Sequence, residues 1–259
     1  MKVSKEVQVK LNNVNKIIYF GMPTNSNELE EMFRLRYKEY SIRGYIKKEL
    51  FPLKIEQDRY DKENKCSYFI AKIDNKIIGT ARLIKDYYLP TEKDCFNFNE
   101  PEAIKAMPRE KRGEISRLIS ERYNTDGKFF PKYLIMLGII EDTVNFALKE
   151  DLIGGYSFVK KSLEAKFKKI GLPFHKIKSF TQIYSKEHLE GYFNDKKDPA
   201  IPIYYLREEI KEYLDRIFNN KKIFKKAGER KYILLNNSIL KFLFYIKINN
   251  LKERIKIWK

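Results

Sequence analysis

The sequence GEISRLIS (residues 113–120) places a glutamate, a serine and an arginine inside a stretch that otherwise has the apolar content of a buried strand. A carboxylate accepts a proton, a hydroxyl donates a hydrogen bond, and a guanidinium holds an anion. Buried charges must also be paired, so Glu114 and Arg117 need partners. Side chains alternate between the two faces of a regular strand. Glu114 and Arg117 would therefore lie on opposite faces unless the strand is irregular.

The composition indicates a folded protein with a basic surface. The chain has 259 residues, of which 43% are hydrophobic and 34% charged, and its formal net charge is +18. Such an excess favours an acidic partner, which can be nucleic acid, an anionic membrane surface or an acidic protein. A biased supply of codons for Lys, Ile, Asn, Tyr and Phe is the alternative source of the charge.

Cysteine and histidine are too few for several classes of site. Only Cys66, Cys95, His175 and His188 are present, so the sequence predicts no disulfide framework and no metal site. The N-terminus lacks the apolar core of a secretory signal, and no apolar run has the length of a membrane span. We expect a cytoplasmic protein.

The elements that must position these residues alternate between strands and helices. We predict an α/β or mixed α+β sheet with helices on both faces. The predicted strands are 15–20, 66–73, 76–84, 113–120, 152–159, 173–184 and 200–206. The predicted helices are 23–40, 131–150 (started by Pro131), 160–171 (ended by Gly171) and 207–220. A long loop is predicted at 85–112, where a functional segment or a lid is typical.

The chain divides into residues 1–221, with this alternating pattern, and a basic, partly apolar C-terminal extension, 222–259. A further helical layer packed on the domain is one interpretation of the extension. The other is an amphipathic segment lying on the inner face of an anionic membrane.

Five short motifs in order give the chain a family resemblance. They are FRLRYKEY with Arg36 and Tyr40, EQDRYD with Asp58 and Asp61, GTARLI with Arg82, CFNF with Phe96, and EISR with Glu114 and Arg117. This series resembles the long-chain N-acyl amino acid synthases and the acyl-homoserine-lactone (autoinducer) synthases. Both have the acyl-CoA N-acyltransferase fold of the Gcn5-related N-acetyltransferases, known as GNAT-like.

The resemblance implies an N-acyltransferase that moves a long-chain fatty acyl group from an acyl carrier protein thioester to the amine of an amino acid or similar small molecule. A lactone synthase, whose amine is S-adenosylmethionine, is the alternative. Lactone synthases carry a tryptophan shortly after the first arginine–aromatic pair, whereas Tyr45 is the nearest candidate in this chain. The amino acid synthase is therefore favoured.

The resemblance also implies catalytic roles on the central strand. Glu114 is predicted either as the general base, directly or through a water, or as the anchor of a buried Arg82–Glu114–Asp61 network. A β-bulge near Arg117–Ser120 would free a backbone N–H for the thioester carbonyl. Ser116 or Ser120 would add a side-chain donor, and Arg117 would hold a carboxylate or support the structure.

Substrate contacts follow from the remaining motifs. Asp58 and Asp61 would bind the incoming amine as its ammonium, with a solvated pair as the alternative. Arg36 would hold the substrate carboxylate, unless it is a surface residue. Tyr40 and Phe96 would line the acyl groove, with a plain core role as the alternative, and Leu118 would contact the substrate.

The donor carries a phosphopantetheine arm, which in this fold enters between splayed central strands. Gly154 and Gly155 would let the arm approach closely, and the helix N-terminus near residue 160 would face its phosphate. An acidic acyl carrier protein would dock on lysines at this entrance, with coenzyme A as the alternative carrier. They are Lys160, Lys161, Lys166, Lys168 and Lys169. No tightly bound cofactor and no nucleic acid are expected.

Overall fold

The computed structural model describes residues 1–11, 14–121, 123–125, 128–129 and 132–235. Its strands are β1 (Lys2–Leu11), β2 (Val14–Met22), β3 (Cys66–Ile73), β4 (Lys76–Ile84), β5 (Phe96–Phe98), β6 (Arg112–Ser120), β7 (Asn124–Thr125), β8 (Lys128–Phe129), β9 (Gly154–Lys160), β10 (Phe174–Lys176), β11 (Phe180–Gln182), β12 (Ala200–Leu206), β13 (Phe224–Lys226) and β14 (Lys231–Leu234). Its α-helices are α1 (Ser26–Ile42), α2 (Arg59–Lys62), α3 (Glu102–Lys105), α4 (Lys132–Lys149), α5 (Lys161–Ile170), α6 (Glu190–Phe193) and α7 (Arg207–Phe218).

Ten of these strands form one sheet in the order β10-β12-β9-β6-β4-β3-β2-β1-β14-β13. Neighbouring strands are antiparallel except β6 with β9 and β1 with β14, which are parallel. Two short pairs, β5 with β11 and β7 with β8, lie outside this sheet. The predicted mixed sheet is confirmed, and β6 carries GEISRLIS through its interior.

Helices cover both faces of the sheet. Ile70 of β3 packs in one apolar cluster with Met32 and Phe33 of α1. Its neighbours Phe69 and Ala71 belong to the main core, to which α4, α5 and α7 also contribute. Because successive side chains of a strand point to opposite faces, α1 lies on one face and the other three helices lie on the opposite face.

Local sequence signals place several of these elements. β3 and β4 have the predicted bounds, and their turn residues Asp74 and Asn75 have φ values of 48° and 62°, as a type I′ turn requires. The side chain of Asn25 accepts a hydrogen bond from the Glu28 N–H and so begins α1. Gly171 ends α5 with φ of 74°.

Other element predictions are wrong. β1 was not expected in the N-terminal segment. The predicted loop 85–112 contains a π-helical turn (Thr91–Cys95), β5, α3 and a 3₁₀ turn (Arg109–Lys111). Each of these elements is at most five residues long, too short to establish a hydrophobic period. The start of the helix at Pro131 lies outside the described residues.

The predicted strand 173–184 is two strands that belong to different sheets. β10 pairs with β12 in the main sheet. The chain then bends, and β11 pairs with β5, with Phe180 opposite Phe98. Hydrophobic alternation is similar in both halves, so it does not reveal this change of partner.

The first part of the predicted C-terminal extension joins the sheet. β13 and β14 pair with each other, and β14 runs parallel to β1. Residues 236–259, on which the helical-layer and membrane interpretations mainly depend, lie outside the described residues, and the domain boundary at 221 remains a prediction. Within the described part of the chain, no helix combines the length and apolar character needed to cross a bilayer.

Candidate active site

β6 and β9 separate partway along their length. Their parallel pairing runs only from Arg112 with Gly154 to Glu114 with Tyr156. Beyond this point the two strands diverge, and the pairing partners that a sheet normally supplies are lost on that side of β6. The splayed central strand pair expected from the fold is therefore present.

A β-bulge lies where the strands have separated. Arg117 and Leu118 of β6 together oppose the single residue Ala81 of β4, which is the two-against-one count of a bulge. Arg117 has φ of 54°, a conformation that non-glycine residues rarely adopt. The bulge predicted near Arg117–Ser120 is confirmed. Strained residues of this kind cost about 1–3 kcal/mol and cluster at active sites.

A cavity of about 420 Å³ lies between β6 and β9 where the two strands have separated. Its β6 wall runs along the bulge and includes Ser116, Arg117, Leu118 and Ser120. Its apolar walls come from both strands and from α4 and α5, and include Ile115, Ile119, Met136, Val159, Leu163 and Phe167. The exposed residues Arg43 and Lys166 also line it, and Arg43 is paired there with Glu39 at 2.9 Å.

Tyr40 and Tyr45 line the same cavity from the end of α1 and the segment that follows. Their ring centroids are 5.8 Å apart, and the Tyr45 ring also contacts Tyr192, which completes this wall. The Arg117 guanidinium lies 5.7 Å from the Tyr40 ring centroid. Tyr40 thus lies where an acyl-lining residue was predicted, and Tyr45, the nearest candidate for the missing tryptophan, lines the same wall.

Behind the bulge lies a buried charge network of three arginines and three carboxylates. Its members are Arg36, Arg82, Arg117, Glu56, Asp58 and Asp61. Three positive and three negative groups balance, which is the condition for burying so many charges.

Glu56 is the centre of the network. It is fully buried, and its carboxylate lies 2.5 Å from Nε of Arg36 and 2.9 Å from Nη2 of Arg117. His188 Nε2 lies 2.7 Å from the same oxygen, Oε1, that Arg117 binds. Burial alone would raise the pKa of Glu56, but the charges of Arg117 and Arg36 hold it well below its ordinary value. Glu56 is therefore a carboxylate at neutral pH.

Asp58 and Asp61 have a double role. They form a capping box at the start of α2, in which each side chain accepts a hydrogen bond from the other residue's backbone N–H. Asp58 also binds Arg82 through two oxygens, at 2.7 and 2.8 Å, and Asp61 binds Arg36 at 2.8 Å. Burial raises the pKa of Asp61, but Arg36 and Arg82 bring it down to about 2. EQDRYD therefore builds both a helix start and half of the network.

Glu114 lies outside this network. Its Oε2 accepts a hydrogen bond from the Thr91 N–H at 2.7 Å, and its Oε1 has no hydrogen-bond partner among the described residues. Burial raises the pKa of Glu114 to about 8, and the Thr91 N–H opposes the shift. The predicted Arg82–Glu114–Asp61 network is wrong because Glu114 does not take part in it. Arg82 binds Asp61 directly, at 3.0 Å. The prediction that Glu114 is the base is untested and remains a prediction.

Other predicted residues are placed away from the cavity wall. Arg36 is fully buried, and Glu56 and Asp61 engage its guanidinium. Its predicted contact with a substrate carboxylate would have to displace these partners. Phe96 is buried in an aromatic cluster, where its ring contacts Phe180 at 5.5 Å between centroids.

Gly154 and Gly155 lie at the paired end of β6 and β9, where the strands are closest, and neither lines the cavity. A Cβ atom on Gly155 would lie 1.8 Å from the carbonyl oxygen of Gly113. These glycines allow the strands to pair, and the cavity lies farther along β9, from Ser157 to Lys160. Their predicted contact with the pantetheine arm is not supported by this placement.

The N-terminus of α5 already holds an anion. Asp198 accepts hydrogen bonds from the Ser162 N–H at 2.8 Å and from the Ser162 hydroxyl at 2.6 Å. A carboxylate of the protein thus occupies the place predicted for a phosphate. Lys160 is also buried rather than solvated, and its Nζ donates to the Tyr192 carbonyl oxygen at 2.5 Å. Lys161, Lys166, Lys168 and Lys169 are exposed, and their role in docking a carrier protein stays a prediction.

Sequence reasoning missed two members of the site, Glu56 and His188. Glu56 begins the EQDRYD motif, so its alignment with Asp58 and Asp61 in one acidic segment was the available signal. His188 lies in a polar segment with no recognisable motif. Only its contact with Glu56, 132 positions away, reveals it.

A family model connects this site to known proteins. The model of the N-acyl amino acid synthase FeeM matches residues 31–138, the segment that contains α1, the EQDRYD motif and the bulged strand. The chain resembles the N-acyl amino acid synthases. No curated protein sequence matches it at a significant level.

Solved structures share the fold of this chain. FeeM from uncultured soil microbes superposes with a TM-score of 0.52 at 14% identity, covering 76% of this chain and 94% of that chain. The CoA-dependent acyl-homoserine lactone synthase BjaI, with MTA, gives 0.52 at 15% identity, covering 85% and 92%. The AHL synthase LasI gives 0.50 at 16% identity, covering 74% and 90%. The GNAT-like fold is thus established, and with the FeeM match it supports an N-acyltransferase enzyme.

Proposed function

We propose that this protein moves a long-chain acyl group from the thioester of an acyl carrier protein to the amine of an amino acid or a similar small amine. The observation that carries the proposal is the bulge at Arg117–Leu118, which opens on an apolar cavity and is backed by the charge network. The FeeM match over the same strand supports the amide-forming reaction.

The cavity has the character of an acyl site. Its apolar walls, with Ile119, Met136 and Phe167 among them, suit a hydrocarbon chain. An apolar chain gains about 0.8 kcal/mol for each methylene that it buries. A cavity of about 420 Å³ lies within the range typical of ligand pockets.

Two donors near the bulge suit the oxyanion that forms when an amine attacks a thioester. Arg117 lines the cavity, and none of the described contacts engages its Nη1. The Ser116 oxygen accepts a hydrogen bond from Arg82 Nε at 3.0 Å, which leaves the Ser116 hydroxyl hydrogen free to donate. Ser116 also lines the cavity. An oxyanion donor of this kind contributes about 10²–10³-fold to kcat.

Charge supports a carrier protein as the donor. The chain has a net charge of +18, and Lys161 and Lys166 expose cationic groups on α5 beside the cavity. Complementary charge would steer an acidic carrier to this edge. Coenzyme A is the alternative donor, because BjaI of similar fold is CoA-dependent.

The test is product analysis. Purified protein is incubated with acyl-carrier thioesters or acyl-coenzyme A and with the common amino acids or S-adenosylmethionine, and products are identified by mass spectrometry. We expect an N-acyl amide with a free carboxylate, formed faster from the carrier. A lactone product would replace the proposal by the lactone synthase, and soluble folded protein that forms no amide would overturn it.

A variant pair ties any product to the site. Ser116→Ala should lower kcat about 10²-fold while the KM for the donor changes little. Ser67→Ala, on β3 and outside the cavity lining, should behave like the wild type. Equal activity of the two variants would show that Ser116 has no role in the reaction.

A further inference from the structure

His188 and Glu56 form a histidine–carboxylate dyad. Nε2 of His188 lies 2.7 Å from Oε1 of Glu56. A carboxylate only accepts hydrogen bonds, so Nε2 carries the hydrogen of this contact and Nδ1 presents its lone pair. None of the described residues bonds Nδ1, and the side chain is 24% exposed. The Phe51 ring packs edge-on against the imidazole, with centroids 5.1 Å apart, and limits its rotation.

This dyad lies directly beside the bulge. Arg117 Nη2 and His188 Nε2 bind the same carboxylate oxygen of Glu56. Asp58 also binds Arg117, at 2.9 Å, and is 18% exposed. Arg117 therefore has the acyl cavity on one side and two partly exposed groups, Asp58 and His188, behind it. Neither of these two groups lines the cavity.

We propose that His188, oriented by Glu56, is the general base that takes a proton from the ammonium group of the acceptor, which binds beside Asp58. This inference rests on the proposed function, because it assigns a step of the same acyl transfer. The acyl donor would reach Arg117 from the cavity, and the amine would reach it from the opposite side.

The proton transfers balance. An amino acid ammonium has three N–H bonds, and the amide product keeps one. Nδ1 of His188 takes the first proton, and the charge of Glu56 stabilises the imidazolium until the proton passes to solvent. The free amine then attacks the thioester carbonyl carbon, the C–N bond forms and the C–S bond breaks. The second proton moves from nitrogen to the departing thiolate, which leaves as a thiol.

The other candidate base is less accessible. Glu114 is fully buried and does not line the cavity. One of its oxygens is held by the Thr91 N–H. No surface of Glu114 is accessible to an acceptor amine in this structure, whereas the His188 side chain is 24% exposed.

Charged groups surround the His188 ring. From other elements, Glu56 contacts it and Arg117 lies behind that carboxylate. In its own segment the charged neighbours are Lys186, Glu187 and Glu190. Lys186 is paired with Asp94, and Glu190 with Lys47. Glu56 is therefore the group that a proton on His188 meets first.

The experiment compares His188→Gln with His175→Gln. Glutamine keeps a donor for Glu56 but cannot take up a proton. His175 is the chain's other histidine, and it also bonds a glutamate, Glu209, at 2.5 Å. It lies on β10 and does not line the cavity, so the control removes the same chemistry elsewhere. Unfolding midpoints establish that both variants are folded.

The readout is kcat/KM for the acceptor across pH. His188→Gln should lose about 10²–10⁴-fold at neutral pH, as removal of a general base does. The loss should shrink as pH rises and the acceptor amine deprotonates unaided. His175→Gln should follow the wild type throughout. Wild-type rates in His188→Gln, or a loss that is the same at every pH, would overturn the inference.

The outcome for the proposed function is separate. If the wild type forms no amide from any donor, the acyl transfer itself is refuted, and the role of His188 falls with it. If the wild type forms the amide and His188→Gln does so equally well, only the assignment of His188 fails. Loss of activity in Glu114→Gln alone would then identify Glu114 as the base.

Discussion

Arg117 and Glu56 form a buried ion pair in which Nη2 and Oε1 lie 2.9 Å apart. Arg117 is also the residue of the bulge whose φ is positive, at 54°. Because Glu56 also binds Arg36, a single carboxylate connects α1 to the bulged strand. The strained backbone of β6 and the packing of α1 are therefore not independent.

Removing the charge of Glu56 should destabilise the fold. Glu56→Gln leaves Arg36 and Arg117 with an excess of buried positive charge, and breaking a buried pair in this way costs about 3–5 kcal/mol. Urea denaturation measures the free energy of unfolding. Glu30→Gln removes the exposed pair of Glu30 with Arg34 and should cost at most about 1 kcal/mol. Similar losses in the two variants would contradict a central role for Glu56.

Glu114 should make stability depend on pH. Its pKa in the folded protein, about 8, lies above the ordinary value of 4.5. The folded state therefore binds this proton more tightly, and its contribution to stability is complete at low pH and is lost as pH rises from about 4.5 to 8. Glu114→Gln is isosteric and uncharged. Relative to the wild type, it should gain stability over this range, by at most about 1.4 kcal/mol per pH unit.

Denaturation at pH 5 and pH 8 checks this difference. Asp142 also has a raised pKa, about 6, because it is buried, but it is present in both proteins and cancels in the comparison. A difference between variant and wild type that does not change with pH would show that Glu114 is charged in the folded state.

The size of Met136 should set the acyl preference. Met136 lines the cavity from α4, so Met136→Trp should shift the best donor to a shorter acyl chain, and Met136→Ala should shift it to a longer one. Values of kcat/KM for a series of donors of increasing acyl length measure this. The two variants serve as reciprocal controls, and a shift in the same direction for both would place the acyl chain elsewhere.

The lysines of α5 should govern the reaction with a carrier protein. Lys161 and Lys166 are exposed beside the cavity. Changing both lysines to glutamate should lower kcat/KM for an acyl carrier protein about tenfold or more. It should also make kcat/KM less sensitive to salt. Lys221→Glu with Lys222→Glu, an equal charge change on an exposed segment after α7, is the control. Equal effects of the two double variants would indicate general rather than local attraction.

The sequence predicted those elements whose signals are local. The β3–β4 hairpin follows from a two-residue turn between alternating strands, and α5 ends at the glycine that its C-cap requires. β1 was missed because its inward face is not uniformly apolar. Lys5 is buried there in line with Val7 and Val9, and its partner Glu141 is 136 positions away on α4.

The features of the site also fall into two groups, those with a local sequence signal and those that depend on contacts between distant segments. The bulge came from a family resemblance carried by short motifs. The same motifs named Arg36, Arg82, Asp58 and Asp61, but they did not pair Arg36 with Asp61 or Arg82 with Asp58. The contact of Glu56 with His188 joins two segments that have no pattern in common. Gly154 and Gly155 were placed on the correct strand, but the position along β9 where it leaves β6 depends on packing of the whole sheet. Pairings between distant segments are what a single sequence does not reveal.

The parallel contact between β14 and β1 has a practical consequence for how the protein can be shortened. Residues 231–234 hydrogen-bond to β1 from Glu6 to Val9. A chain cut at residue 221 would leave this stretch of β1 with unsatisfied backbone donors and acceptors along an open sheet edge. Such edges recruit strands from other molecules, so self-association would accompany loss of the C-terminal strands even if the catalytic residues were intact.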